Sequence, residues 1–61
     1  MNKLKALRQA RNLTQAELAK LIDVDRTTVA QWEAGKNYPR VDTLIKLAQV
    51  LRCNVDTLLR A

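Results

Sequence analysis

The chain has 61 residues, with eleven Lys and Arg against six Asp and Glu for a net charge of +5. Basic excess in so small a chain points to a polyanionic partner, nucleic acid first and an anionic membrane surface second, with plain solubility as the competing explanation. One Cys and no His exclude an internal disulfide and a zinc site of several Cys and His ligands, while a single Gly excludes a phosphate-binding glycine loop.

Catalytic chemistry is equally short of parts. There is no Ser, so neither a Ser–His nor a Cys–His nucleophile pair can form. Two Glu and four Asp are the only carboxylates, and most sit at helix starts or packing positions. The chain therefore reads as a binding module and not an enzyme, with no metal, no cofactor and no small-molecule ligand evident. Its length suits one domain, residues 1–61, which buries only roughly 60% of its unfolded surface. No apolar run approaches the roughly 20 residues of a membrane span. Met1 is followed by Asn2-Lys3-Leu4-Lys5, which is not a signal-peptide core. A lone Cys53 fits a reducing cytoplasm, and it reads as a small apolar packing residue more than as a reactive thiol.

Apolar residues recur at spacings of three and four throughout, with no β-alternation, repeat or linker, so every predicted element is a helix. The first runs from Asn2 or Lys3 to Arg11, with Leu4, Leu7 and Ala10 or Arg11 along one stripe. Arg8 follows Leu4 by four residues and so borders the packed face. Its stem can cover the core with its head in water, or it can pair with an acid.

Asn12-Leu13 connects to a stretch, Thr14 to Lys36, that holds two short helices with a tight turn at Asp23-Val24. Thr14 and Glu17 form a T-x-x-E capping box that starts the first of them. Leu18, Ala19 and Ile22 face inward, Ala19 being small where another helix comes close, and Leu21 is less easily placed. Asp23 replaces the Gly expected at a turn position with positive φ. Asp25 is expected to cap the next helix through its side chain, accepting from the backbone of Thr27 or Thr28.

That next helix covers Arg26 to Ala34. Val29 and Trp32 form its core face, with Asp25 and Glu33 near that side. Thr27, Gln31 and Ala34 point the other way, flanked by Arg26 and Thr28, with Ala30 near. A small, polar, largely uncharged outer face is what reading base edges requires: Arg bonds guanine, Gln bonds adenine, and Thr or Ala methyls meet thymine. A weakly polar surface helix explains the same face about as well. Gly35 ends the helix. The loop Lys36-Asn37-Tyr38-Pro39-Arg40 carries groups able to meet phosphate oxygens, and the Tyr38 ring can also pack over the edge of the core. A fourth helix, Val41 to Leu51, packs through Leu44, Leu47, Ala48 and Leu51, widened by Ile45 and Val50, with Asp42 favourable in its first turn. After a break at Arg52-Cys53, Asn54 caps a fifth helix, Val55 to Arg60, which packs through Val55, Leu58 and Leu59.

The strings Gln15-Ala16-Glu17-Leu18-Ala19, Trp32-Glu33-Ala34-Gly35-Lys36, Tyr38-Pro39 and Asp42-Thr43-Leu44-Ile45-Lys46-Leu47-Ala48 resemble the Cro and repressor type of helix-turn-helix proteins, the XRE family. The resemblance covers essentially the whole chain. It implies an all-α, compact five-helix, lambda-repressor-like domain with the motif at about residues 14–34. It also implies binding of double-stranded DNA by a prokaryotic or phage transcriptional regulator, usually as a homodimer on a palindromic operator, in the cytoplasm and away from membranes. Carried over by position, Arg26, Thr27, Thr28 and Gln31 would meet bases, and Gln15, Lys36, Asn37 and Arg40 phosphates. Arg8 and Glu33 match a buried ion pair of phage repressors. Three departures stand out: Asp23 at the usual turn Gly, Arg52 at a common Gly after the fourth helix, and Ala34 without a longer polar side chain. Within the same family, an antitoxin-type or other protein-interaction module is the alternative, which an exposed Leu21 or Leu59 would suit. A C-terminal dimerisation domain is not in this sequence, so the chain is expected to be either a small Cro-like regulator or a fragment. Dimerisation is expected through helix 5 and the break before it, where Val55, Leu58 and Leu59 offer apolar surface.

Overall fold

The structure, a computed structural model, describes residues 1 and 3–60. Five helices follow one another: α1 (Leu4–Ala10), α2 (Gln15–Leu21), α3 (Arg26–Glu33), α4 (Val41–Leu51) and α5 (Val55–Leu59). All five expected elements form, each within one or two residues of its expected bounds. The expected start of α1 at Asn2 lies outside the described residues. No described helix is long and apolar enough to cross a membrane.

The starts of α2 and α5 are set by side chains. Thr14 and Glu17 exchange hydrogen bonds of 3.0 and 2.9 Å in the expected capping box. Asn54 Oδ1 accepts from the Thr57 N–H at 2.8 Å. Asp25 departs from expectation. It has cap backbone angles, φ −74° and ψ 149°, but makes no side-chain cap bond. Its backbone carbonyl takes the Thr28 N–H at 3.0 Å. Arg26 and Thr27 are exposed, so water can satisfy the first N–H groups of α3 and nothing forces the carboxylate inward.

The ends of α1 to α4 share one device. Asn12, Asp23, Gly35 and Arg52 all have positive φ, between 55° and 77°. After each, the next N–H reaches back five residues: Leu13 to Arg8, Val24 to Ala19, Lys36 to Gln31 and Cys53 to Ala48, at 2.9–3.3 Å. This is the Schellman closure, which satisfies carbonyls left over at the helix end. Asn and Asp accept a left-handed conformation through their short polar side chains, whereas Arg pays a larger steric cost against its own Cβ. Arg52→Gly is therefore expected to stabilise the domain by about 1 kcal/mol, the relieved strain less the added freedom of the unfolded chain. A rise in the urea midpoint with an unchanged slope would report it.

The core draws on every helix. Leu4, Leu18, Val29, Leu47 and Leu58 are fully buried, joined by Ala19, Ile22, Trp32, Leu44, Ala48 and Leu51. Met1 belongs to this core as well, although helical periodicity does not place it there, and its amine donates to the Trp32 carbonyl at 3.3 Å. Val50, Cys53 and Val55 pack at the margin. Ile45 and Leu59 do not pack as expected; they are 47% and 56% exposed. Each follows a buried Leu directly, and one step along a helix turns a side chain by about 100°, out of the packed stripe. Leu21 is exposed too. Ala10 and Arg11 both lie at the surface, where Arg11 Nε donates to the Leu51 carbonyl at 3.0 Å and ties α1 to the end of α4. Of the three apolar residues expected to form a dimer surface, Leu58 is buried and Val55 half-buried, so Leu59 alone is freely exposed.

Candidate nucleic-acid interface

α2 and α3 pack closely on each other, with Ala19, Ile22, Val29 and Trp32 buried. That burial fixes which side of α3 is left over. Arg26, Thr27, Gln31 and Ala34 are exposed on it, and Ala30 is half-buried. Thr28 is half-buried because it turns to the flank, where it lines a shallow groove of about 350 Å³ with Val24, Trp32, Asn37, Tyr38, Pro39, Arg40 and Thr43. The Tyr38 ring borders this groove while staying 63% exposed, so it edges the core without being sealed against it.

Behind the exposed face lies a continuous polar network. Arg8 Nε donates to Glu33 Oε2 at 2.7 Å and a guanidinium Nη donates to Oε1 at 3.3 Å, with both side chains 8% exposed. The other Nη donates to the Leu13 carbonyl at 2.7 Å. Gln15 Nε2 donates to Glu33 Oε1 at 2.9 Å, and Gln15 Oε1 in turn accepts from the Arg26 guanidinium at 3.2 Å. The buried pair thus orients Gln15, and Gln15 holds Arg26. Burial pushes the Glu33 carboxyl up, but hydrogen bonds from Arg8 and Gln15, with the charges of Arg8 and Lys5, outweigh it and hold the group below the ordinary carboxylate range. Glu17 is also held low, by the Thr14 backbone N–H and then its hydroxyl.

The ion pair of Arg8 with Glu33 is present in the expected place. Spacing along α1 and α3 puts Arg8 and Glu33 beside the core, but it does not predict the links from Gln15 to Glu33 and to Arg26. In the loop, Lys36 and Arg40 are exposed. Arg40 stands 4.0 Å from Asp42 with both side chains in water, a pair too solvated to hold its head in place. Asn37 is engaged differently: its Nδ2 donates to Gln31 Oε1 at 3.0 Å. Gly35, at φ +77°, turns the chain back on α3 and makes this contact possible. The turn was legible in sequence, whereas the side-chain pairing across it was not.

Comparison with known proteins gives one consistent result. A family model described as helix-turn-helix matches residues 4–58. An HTH-type transcriptional activator, BcrR of Enterococcus faecalis, is 40% identical over 57 residues, which are 93% of this chain and 28% of that protein. Repressor protein C2 of Salmonella phage P22 is 31% identical over 95% of this chain and 27% of its own length. The chain therefore spans little more than a quarter of either relative. Two solved structures superpose closely at 30% identity. The solution structure of the DNA-binding domain of the P22 C2 repressor has a TM-score of 0.88, covering 97% of this chain and 78% of that one. The crystal structure of the P22 c2 repressor with a synthetic operator has a TM-score of 0.89, covering 93% and 86%.

Proposed function

The chain belongs to the Cro/repressor-type (XRE) helix-turn-helix family, and from that premise we propose that it is the sequence-specific DNA-binding domain of a prokaryotic or phage transcriptional regulator. One observation carries the reading: the exposed face of α3 is small and polar, and a buried ion pair braces it from behind through Gln15 and Arg26. A solved structure of a relative on a synthetic operator supports it.

In this reading α2 lies across the backbone and α3 enters the major groove by its N-terminus. Arg26, Thr27 and Gln31 meet base edges, and Thr28, at the flank, meets the groove wall. Gln15, Lys36 and Arg40 meet phosphates, and Asn37 has a second N–H free for the same purpose. The regulator acts in the cytoplasm, as a homodimer on a palindromic operator; Leu59 and the exposed end of α5 are one candidate contact between copies.

Selection of sites from random duplex DNA tests the whole reading, and palindromic enrichment is the expected outcome. With two cationic phosphate contacts, Lys36 and Arg40, in each copy of the homodimer, log affinity should fall with log salt at a slope of about −3.6. Lys36→Ala should weaken every duplex alike and reduce that slope by about 1.8, whereas Gln31→Ala should cost about 1–3 kcal/mol of discrimination at one base pair. An absence of salt-sensitive binding to any duplex would favour the protein-interaction alternative and sink the DNA reading.

A further inference from the structure

Gln31 is bracketed by the loop that follows its own helix. Its backbone carbonyl accepts the Lys36 N–H at 2.9 Å. Its side-chain Oε1 accepts Asn37 Nδ2 at 3.0 Å. A glutamine on an exposed helix face otherwise turns freely and can present either end of its amide. Here one lone pair of the oxygen is taken, which fixes the amide's orientation and leaves the other lone pair and the two Nε2 donors for whatever faces α3.

We propose that Asn37 is a specificity-determining positioning residue that holds the Gln31 amide with its donors toward the major groove. The proposal rests on the DNA reading above and deepens it. It also sharpens what Gln31 should select. Pairing with adenine uses both ends of the amide, the oxygen taking N6–H and the nitrogen giving to N7. A glutamine held by Asn37 through one lone pair of its oxygen keeps the other for that N6–H, so its amide is preset for the pair. It favours adenine, and disfavours guanine and cytosine, whose major-groove edges do not offer an acceptor and a donor side by side. Asn37 thus acts through Gln31 and need not touch a base.

The two residues are exposed, so substitutions at either should leave the fold intact, which far-UV circular dichroism will verify. Sites are selected from random duplex DNA with the unmodified domain, with Gln31→Ala, with Asn37→Ala and with both changes together. The expected result is an adenine preference at one step for the unmodified domain. Asn37→Ala should reduce that preference at least about fivefold at the same step that Gln31→Ala flattens, and the double variant should lose no more than Gln31→Ala alone. A variant Asn37→Asp, whose carboxylate can only accept, should turn the amide over and weaken the adenine preference at that step. Uniform weakening by Asn37→Ala with the base profile unchanged would make Asn37 a phosphate contact only and overturn the proposal. Failure of the unmodified domain to enrich any sequence would instead remove the DNA reading, and the proposal with it.

Discussion

Glu33→Ala is expected to cost about 3–5 kcal/mol, because it leaves the Arg8 guanidinium buried without its partner. The two side chains are each 8% exposed, and the pair is joined by two hydrogen bonds. At roughly 0.05–0.15 kcal/mol per residue, a chain of this size has only about 3–9 kcal/mol to lose. Urea denaturation should show a large fraction unfolded before denaturant is added. The pH dependence gives a second readout. Glu33 is held below its ordinary pKa, so its contribution is complete above about pH 4.3 and is lost as pH falls through the lower folded value. Glu33→Ala should shrink the acid limb of the stability profile, leaving the part due to Glu17. A shift below about 0.5 kcal/mol would show that water reaches the pair and that its burial means little.

The same pair separates folding from binding. Replacing both members with apolar residues, Arg8→Met with Glu33→Leu, should recover most of the lost stability, since no charge is then left unpaired. It would still remove the acceptor for Gln15 Nε2. Gln15 would then hold Arg26 without an anchor of its own. A folded double variant with weakened DNA binding is the expected result. Full binding by that variant would show that the network serves stability alone.

Trp32→Ala carries the other large penalty, about 3–5 kcal/mol. Trp32 is 3% exposed on the inner face of α3, and its carbonyl accepts the Met1 amine. The cavity left behind would lie between the exposed face of α3 and the core that supports it. Far-UV circular dichroism is the appropriate probe, because the chain has no other Trp to report by fluorescence. Trp32→Phe should cost clearly less, since most of the apolar contact is kept. Equal losses for the two variants would mean that something other than the volume of the ring sets the stability there.

Much of this protein could be read before its structure was known, for reasons that differ from residue to residue. The capping box of Thr14 and Glu17 spans three residues, so the local chain suffices to form it. The inward stripe of α4 follows from spacing along one helix, and the turn at Asp23 from the need for positive φ between two packed helices. Periodicity placed Ile45 and Leu59 on packed faces, but the width of a packed face is set by how closely the neighbouring helix approaches. Asp25 shows a different limit, since the backbone angles of a cap do not oblige the side chain to use them.

By itself the sequence determined the helices, their ends, most of the core and the polar face of α3 that the core leaves outside. These follow from spacing within a few residues and from the exclusion of apolar surface from water. Only the tertiary structure decided which polar side chains meet: Gln15 with Glu33 and Arg26, Arg11 with Leu51, and Asn37 with Gln31. A hydrogen bond needs two atoms within about 3 Å at a restricted angle, and no periodicity along one helix specifies where a side chain from another helix or loop will stand.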